Sequence, residues 1–131
     1  MSTINHTPQI LVVDDSLSNR KALSLIIDKT EYDVITAVDG LDALNVMNEK
    51  HIDLVFTDLE MPRMTGLELT QAIRAWDEKK ETPIVMVTSR STNKHRELAK
   101  KAGVNDYLTK PVGTDTLLES IETWLKQTAE A

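Results

Sequence analysis

Leu54-Val55-Phe56-Thr57-Asp58 is the clearest of several stretches built alike. Three apolar residues and a threonine follow one another without polar alternation, then stop at an acid. A strand that alternates has one wet face, whereas an unalternating run of this length suits a strand buried on both faces. The same grammar recurs outward along the chain. Ile10-Leu11-Val12-Val13 runs into Asp14-Asp15, Ile84-Val85-Met86-Val87 into Thr88-Ser89, and Tyr107-Leu108-Thr109 into Lys110-Pro111. Segments of helical periodicity lie between these runs. Strand and helix therefore alternate five times, and right-handed crossovers turn that alternation into an α/β, doubly wound parallel sheet. Ligands of such open sheets bind outside the carboxyl ends of the strands. Acids, a hydroxyl and a lysine, far apart in sequence, should converge in one crevice. That arrangement suits a magnesium-assisted phosphoryl acceptor.

The bulk properties narrow the field. The chain has 131 residues, the length of one ordinary domain. It is 40% hydrophobic but only 4% aromatic, so aliphatic side chains must fill the core. The net charge of −6 argues against a nucleic-acid partner, because phosphate backbones need basic surface. Cysteine is absent, which excludes a disulfide framework and thiol chemistry and is compatible with a cytoplasmic setting. The longest apolar runs are four residues, far short of a membrane span, so no membrane partner is expected. Residues 1–8 have no apolar core and read as a flexible lead-in, not a signal peptide. Residues 9–126 read as one domain and 127–131 as a tail. No internal repeat or low-complexity linker divides them.

Local signals place the elements. The first strand is expected near Gln9–Val13. A helix follows from about Ser18 to Lys29, with Ala22, Leu23, Ile26 and Ile27 as its stripe and Ser18 or Asn19 as its cap. Tyr32–Ala37 is β-branched and alternating, a second strand, and Asp39-Gly40 reads as a turn. The second helix carries Ala43, Leu44 and Met47 on one face. After the Leu54–Thr57 strand, Met61-Pro62-Arg63-Met64 must be a loop over the site, because Pro62 lacks a donor and biases Met61 to extended geometry. Thr65 is placed to cap a third helix bearing Leu69, Ile73 and Trp76. Thr82-Pro83 breaks the chain before the fourth strand. The fourth helix, about Asn93–Ala102, has the weakest apolar face, only Leu98, Ala99 and Ala102, and Gly103 closes it. Leu117, Leu118, Ile121, Trp124 and Leu125 mark the last helix.

Asp14-Asp15, adjacent acids at the end of a buried strand, repel and raise one another's pKa unless a cation sits with them. Mg²⁺ prefers hard oxygen ligands and keeps several waters. Taken alone, Asp14 and Asp15 serve equally well as helix caps. Asp58 on a separate strand tips the balance to metal. Asp58 itself is either a third ligand or a nucleophile, since a carboxylate can attack a phosphoryl group and form an acyl phosphate. That step needs neutralisation of the phosphoryl oxygens, which Mg²⁺, Lys110 and the Thr88 hydroxyl would share. Singly, Lys110 is an ordinary surface lysine and Thr88 a strand-end residue. Their joint placement at consecutive strand ends argues for the site.

Four segments, ILVVDDS (10–16), VFTDLEMPRMTG (55–66), PIVMVTS (83–89) and AGVNDYLTKP (102–111), closely resemble the receiver domain of two-component response regulators. The resemblance covers about residues 9–126. It implies a flavodoxin-like, five-stranded parallel sheet of order 2-1-3-4-5 flanked by five helices. It implies that Asp58 is the phosphoacceptor, that Asp15 and Asp58 bind Mg²⁺ directly, that Asp14 acts mainly through an ordered water, and that the backbone carbonyl of Glu60 is the remaining protein ligand. Thr88 then matches the switch hydroxyl, Lys110 the phosphate-binding lysine and Tyr107 the rotating aromatic, and the Lys110–Pro111 bond is expected to be cis. Glu60 and Arg90, each two residues beyond a site residue, are expected to tune the phosphoryl lifetime. The implied partners are a histidine kinase or histidine phosphotransfer protein, and a downstream protein met through the fourth helix, fifth strand and fifth helix. The stretch at 87–112 resembles receivers at the C-terminus of chemotaxis-type hybrid histidine kinases. A stand-alone regulator, a phosphorelay intermediate and a receiver cut from a hybrid kinase all fit.

Other features read more plainly. Gly66 gives backbone freedom near the site loop. His51 and His95 are expected at the surface, and Trp76 and Trp124 in the core. Lys94, Arg96, Lys100 and Lys101 give the fourth helix a basic face. Solvation accounts for it by default; an acidic partner, or self-association across Asp115, Glu119 and Glu122 of the last helix, is the functional alternative. An aspartyl-phosphate phosphatase of the haloacid dehalogenase kind would use Glu60 as its second acid, but the surrounding signature and a cap domain are missing. A nucleotide- or flavin-binding domain of the same fold needs a glycine-rich turn where Asp14-Asp15-Ser16-Leu17-Ser18-Asn19 stands. The expectation is therefore a regulatory module and not a turnover enzyme.

Overall fold

The structure, a computed structural model, describes residues 7–130 and the side chains of residues 7–126. Strands β1 (Gln9–Val13), β2 (Asp33–Ala37), β3 (Leu54–Thr57), β4 (Ile84–Thr88) and β5 (Asp106–Thr109) alternate with helices α1 (Leu17–Asp28), α2 (Gly40–Glu49), α3 (Gly66–Arg74), α4 (Asn93–Ala102) and α5 (Thr114–Glu130). Every strand pair is parallel, and the sheet order is β2-β1-β3-β4-β5. This is the flavodoxin-like, doubly wound order expected.

The two-residue period of a strand divides the core. Ile10 and Val12 of β1 pack with Leu23 and Ile27 of α1 and with Leu117, Ile121 and Leu125 of α5. Leu11 and Val13 pack on the other side with Ala43 and Met47 of α2 and Leu69 and Ile73 of α3. A small third cluster, Leu59, Met86 and Ala99, lies under α4, with Tyr107 at its margin. Ala99 is the only fully buried residue of α4. One methyl contributes well below the roughly 1.5–3 kcal/mol of a buried leucine or isoleucine, so α4 is the most lightly held helix.

Several local expectations are corrected. Ser16, not Ser18 or Asn19, caps α1, its hydroxyl accepting from the Asn19 N–H. Ala22 is exposed and not part of the buried stripe, which is Leu23 and Ile27. Asp39-Gly40 starts a helix instead of making a turn: Asp39 caps α2 through the Asp42 N–H, and Gly40 is its first residue. Trp76 lies beyond the end of α3 but still packs on the α2–α3 side of the core. Leu98 is 42% exposed, leaving α4 with even less apolar face than its sequence indicates. Thr65 caps α3 as expected and forms a reciprocal capping box with Glu68. Gly103 closes α4 at φ 113°, which glycine adopts freely. The α5 backbone runs through 127–130, the stretch read as a tail, where Gln127, Ala129 and Glu130 are good helix formers. Of the lead-in, residues 1–6 lie outside the described residues.

Candidate functional site

The strand order reverses at β1, and the crevice opens there. β1 and β3 are paired with Val13 opposite Thr57. The next residues, Asp14 and Asp58, therefore emerge side by side at the carboxyl end of the sheet. Asp14 is buried, Asp58 is partly buried and Asp15 is exposed at the mouth. A carboxylate oxygen from each lies within 4.8 Å of the others.

Backbone and basic groups fix these acids. Asp14 Oδ1 accepts the Ser16 N–H at 2.9 Å, and Arg20 Nη1 donates to the Asp14 carbonyl at 2.8 Å. Asp58 Oδ1 accepts the Leu59 N–H at 2.7 Å. Lys110 follows β5, its own N–H bonded to the Thr88 carbonyl at 2.9 Å. Its Nζ reaches Asp14 Oδ2 at 2.7 Å and Asp58 Oδ2 at 3.3 Å. The Lys110–Pro111 peptide is cis, as the family resemblance implies. Burial pushes the Asp58 carboxyl above its ordinary pKa; Lys110 opposes that push, and the Asp14 charge adds to it. All the donors around the opening are hard carboxylate oxygens, which fits Mg²⁺ and not a soft metal.

A second set of contacts links the segments that follow β3 and β4 to β5. Thr88, buried at the end of β4, accepts the Arg90 N–H on its hydroxyl at 3.2 Å. Arg90 Nη2 donates to both Glu60 carboxylate oxygens, at 2.8 and 2.9 Å, and that partner raises the guanidinium pKa. The pair is half exposed, 50% for Arg90 and 62% for Glu60, so it adds little to stability. The Tyr107 hydroxyl donates to the Arg90 carbonyl at 2.6 Å. The Arg96 guanidinium lies 4.8 Å above the Tyr107 ring, and Arg96 Nη2 donates to Thr109 Oγ1 at 3.0 Å. Arg96 is thus packed on β5 instead of simply solvated.

The structure brings together Asp14, Asp15, Asp58 and Lys110. It sets Thr88 on the adjoining strand end and pairs Glu60 with Arg90. Tyr107 contacts the Arg90 main chain and not the acids. The histidines are elsewhere: His51 faces Asp53 at 2.9 Å and His95 faces Thr92 at 2.5 Å. Sequence reasoning left Arg20 unmarked, since a helical arginine turning back to a strand-end carbonyl leaves no spacing signal. It also left Asp39 and Arg63 unmarked, an ion pair between two loops.

The response regulator receiver domain family model matches residues 10–122. Over 121 residues the chain is 38% identical to the CAI-1 autoinducer sensor kinase/phosphatase CqsS of Vibrio cholerae, covering 92% of this chain but only 18% of that protein. Among solved structures, the chemotaxis protein CheY4 of Vibrio cholerae superimposes with a TM-score of 0.86 at 34% identity, covering 91% of this chain and 99% of that one. The receiver domain of the sensor histidine kinase PA1611 from Pseudomonas aeruginosa, solved with a magnesium ion coordinated in its active site cleft, gives 0.85 at 27% identity, covering 92% and 99%.

Proposed function

The chain belongs to the response regulator receiver domain family, and from that premise we propose that Asp58 takes a phosphoryl group from a phosphohistidine and thereby resets the α4–β5–α5 face. The observation that carries this reading is the meeting of a partly buried Asp58 with Asp14, Asp15 and Lys110 at the β1–β3 switch point.

In the transfer, an Asp58 carboxylate oxygen attacks phosphorus, the phosphorus–nitrogen bond of the donor breaks, and the imidazole leaves with its electron pair and takes up a proton. The Leu59 N–H fixes the other Asp58 oxygen. Lys110 stands where it can neutralise an incoming phosphoryl oxygen, and Thr88 can donate its hydroxyl to another. Mg²⁺ in this site would be held by Asp14, Asp15, Asp58 and the Glu60 carbonyl, and when bound supplies further charge neutralisation. Glu60 and Arg90 overhang the acyl phosphate and tune its lifetime by screening or admitting water.

The donor is a histidine kinase or histidine phosphotransfer protein, which places the domain in the cytoplasm. The receiver runs from β1 through the end of α5. The likeness to one segment of a sensor kinase favours a second reading, a receiver of a hybrid kinase or phosphorelay; the full-length likeness to CheY4 favours a stand-alone regulator.

Incubation with Mg²⁺ and acetyl phosphate, read by intact mass, tests the proposal. The wild type should gain one phosphate and Asp58→Asn none; uptake by Asp58→Asn would refute the assignment. Followed over time, Glu60→Ala and Arg90→Ala should change the decay more than about twofold, or roughly 0.4 kcal/mol of barrier. Rates inside that limit contradict the lifetime role.

A further inference from the structure

The loop that follows Asp58, residues 59–65, is strapped to the start of α2. The strap is Arg63, whose Nε donates to Asp39 Oδ2 at 2.7 Å while Nη2 reaches the same oxygen. The other oxygen, Oδ1, accepts the Asp42 N–H at 2.9 Å and so caps α2. The Asp39 side chain is 4% exposed, so water cannot freely replace a lost partner. The Asp42 N–H first, and Arg63 in addition, hold its carboxyl below the ordinary range against the effect of burial. Beside this pair Met64 lies against Gly40, where a Cβ would stand 2.6 Å from Met64 Cγ. At the far end of the loop, the Gly66 N–H donates to the Leu59 carbonyl at 2.8 Å. A Cβ on Gly66 would stand 2.1 Å from the Asp58 carbonyl oxygen. The loop therefore closes on the phosphoacceptor's own backbone at one end and on α2 at the other.

Its backbone is strained at the strap. Arg63 has φ 67°, and the Met64 N–H bonds the Pro62 carbonyl at 2.7 Å. This is a three-residue turn around a left-handed arginine, a geometry natural to glycine. A residue with a Cβ stays there only when its surroundings over-determine it. A guanidinium fork onto a buried carboxylate is such a constraint.

We infer that Arg63 is a positioning residue: through Asp39 it holds the loop carrying Glu60, and with it the Asp58 peptide, in the geometry that binds a divalent cation. The inference rests on the reading of Asp14, Asp15 and Asp58 as the metal site. Support of this kind behind the ligands typically changes metal affinity without touching the ion.

The test is an Mg²⁺ titration by NMR, read on the amides of Asp14, Asp15, Asp58 and Leu59, with thermal melts run in parallel. Arg63→Ala and Asp39→Asn should each weaken Mg²⁺ binding on the order of tenfold. The double variant should be no weaker than either, because the pair acts as one unit. Asp39→Asn keeps the α2 cap, since asparagine caps as well as aspartate. Arg63→Lys should recover part of the affinity. Arg63→Gly relieves the strain and should melt above Arg63→Ala while binding Mg²⁺ as weakly. The inference is overturned if Arg63→Gly binds like the wild type, or if Arg63→Ala and Asp39→Asn change melting alone. A wild type unresponsive to Mg²⁺ overturns the metal reading itself, before any variant is made.

Discussion

Asp58 sits where its charge is disfavoured, and that leaves a measurable trace. Its native pKa is raised, chiefly by burial, from an ordinary value of 3.8. An acid of this kind binds its proton more tightly folded than unfolded. The stability that proton contributes is complete below the ordinary value and is lost as pH rises through that value toward the native one. Ionised Asp58 therefore costs stability at neutral pH. With divalent ions chelated, Asp58→Asn should melt above the wild type at pH 7, on the order of a few degrees. The gap should shrink as pH falls through the raised native value toward 3.8, and should stay closed below it, where the wild-type carboxyl is protonated folded and unfolded alike. Equal melting temperatures at pH 7 would contradict the electrostatic picture. The residues of this site were legible because each ends an apolar run, so the strand grammar itself pointed to Asp14, Asp15, Asp58, Thr88 and Lys110. Arg20, Arg63 and the Arg96–Tyr107 contact were not, because each joins segments whose relative placement only the folded sheet determines.

Among the elements, α4 stands apart. One buried alanine anchors it, and its neighbour β5 is only partly buried throughout. What ties this face to the site is the Arg90 main chain. Its N–H is held by the Thr88 hydroxyl and its carbonyl by the Tyr107 hydroxyl. A phosphoryl group that draws the Thr88 hydroxyl inward releases one of those bonds, and a lightly packed helix can follow. The shift can be no larger than the difference in interaction between the two states. With a beryllofluoride mimic, NMR shifts should spread from Asp58 through Thr88 to Tyr107 and α4. Thr88→Ala should confine them to the metal site. Wild-type shifts that stop at the metal site would contradict the coupling. Helix positions were well marked in the sequence by caps such as Thr65 and Gly103. The exceptions are Ser16, which caps α1 two residues before Ser18, and Asp39, which caps a helix where a turn was expected, because a cap is chosen by where the chain leaves the sheet.

At the scale of the molecule, unalternating strands required helices on both faces, and the structure has them in two apolar layers. The order β2-β1-β3-β4-β5 then puts the carboxyl ends of β1 and β3 together at the reversal. Strand grammar gives the layers and the crevice, and the family resemblance gives the order. Neither marks the Arg63–Asp39 strap, which depends on loop conformation, whereas Glu60 and Arg90 were marked by their spacing, two residues beyond Asp58 and Thr88. The chain covers 18% of a sensor kinase/phosphatase and 99% of the solved chain of a chemotaxis protein, and the phosphoacceptor chemistry proposed for Asp58 fits either setting. That chemistry can be read at one atom. An aspartyl phosphate, unlike a phosphoserine or phosphothreonine, is reduced by borohydride to homoserine. Phosphorylate the protein with Mg²⁺ and acetyl phosphate, reduce it, and map the peptides by mass. Homoserine is expected at position 58 and nowhere else. Homoserine at Asp14 or Asp15, or a borohydride-resistant phosphate on Thr88 or Ser89, would contradict it.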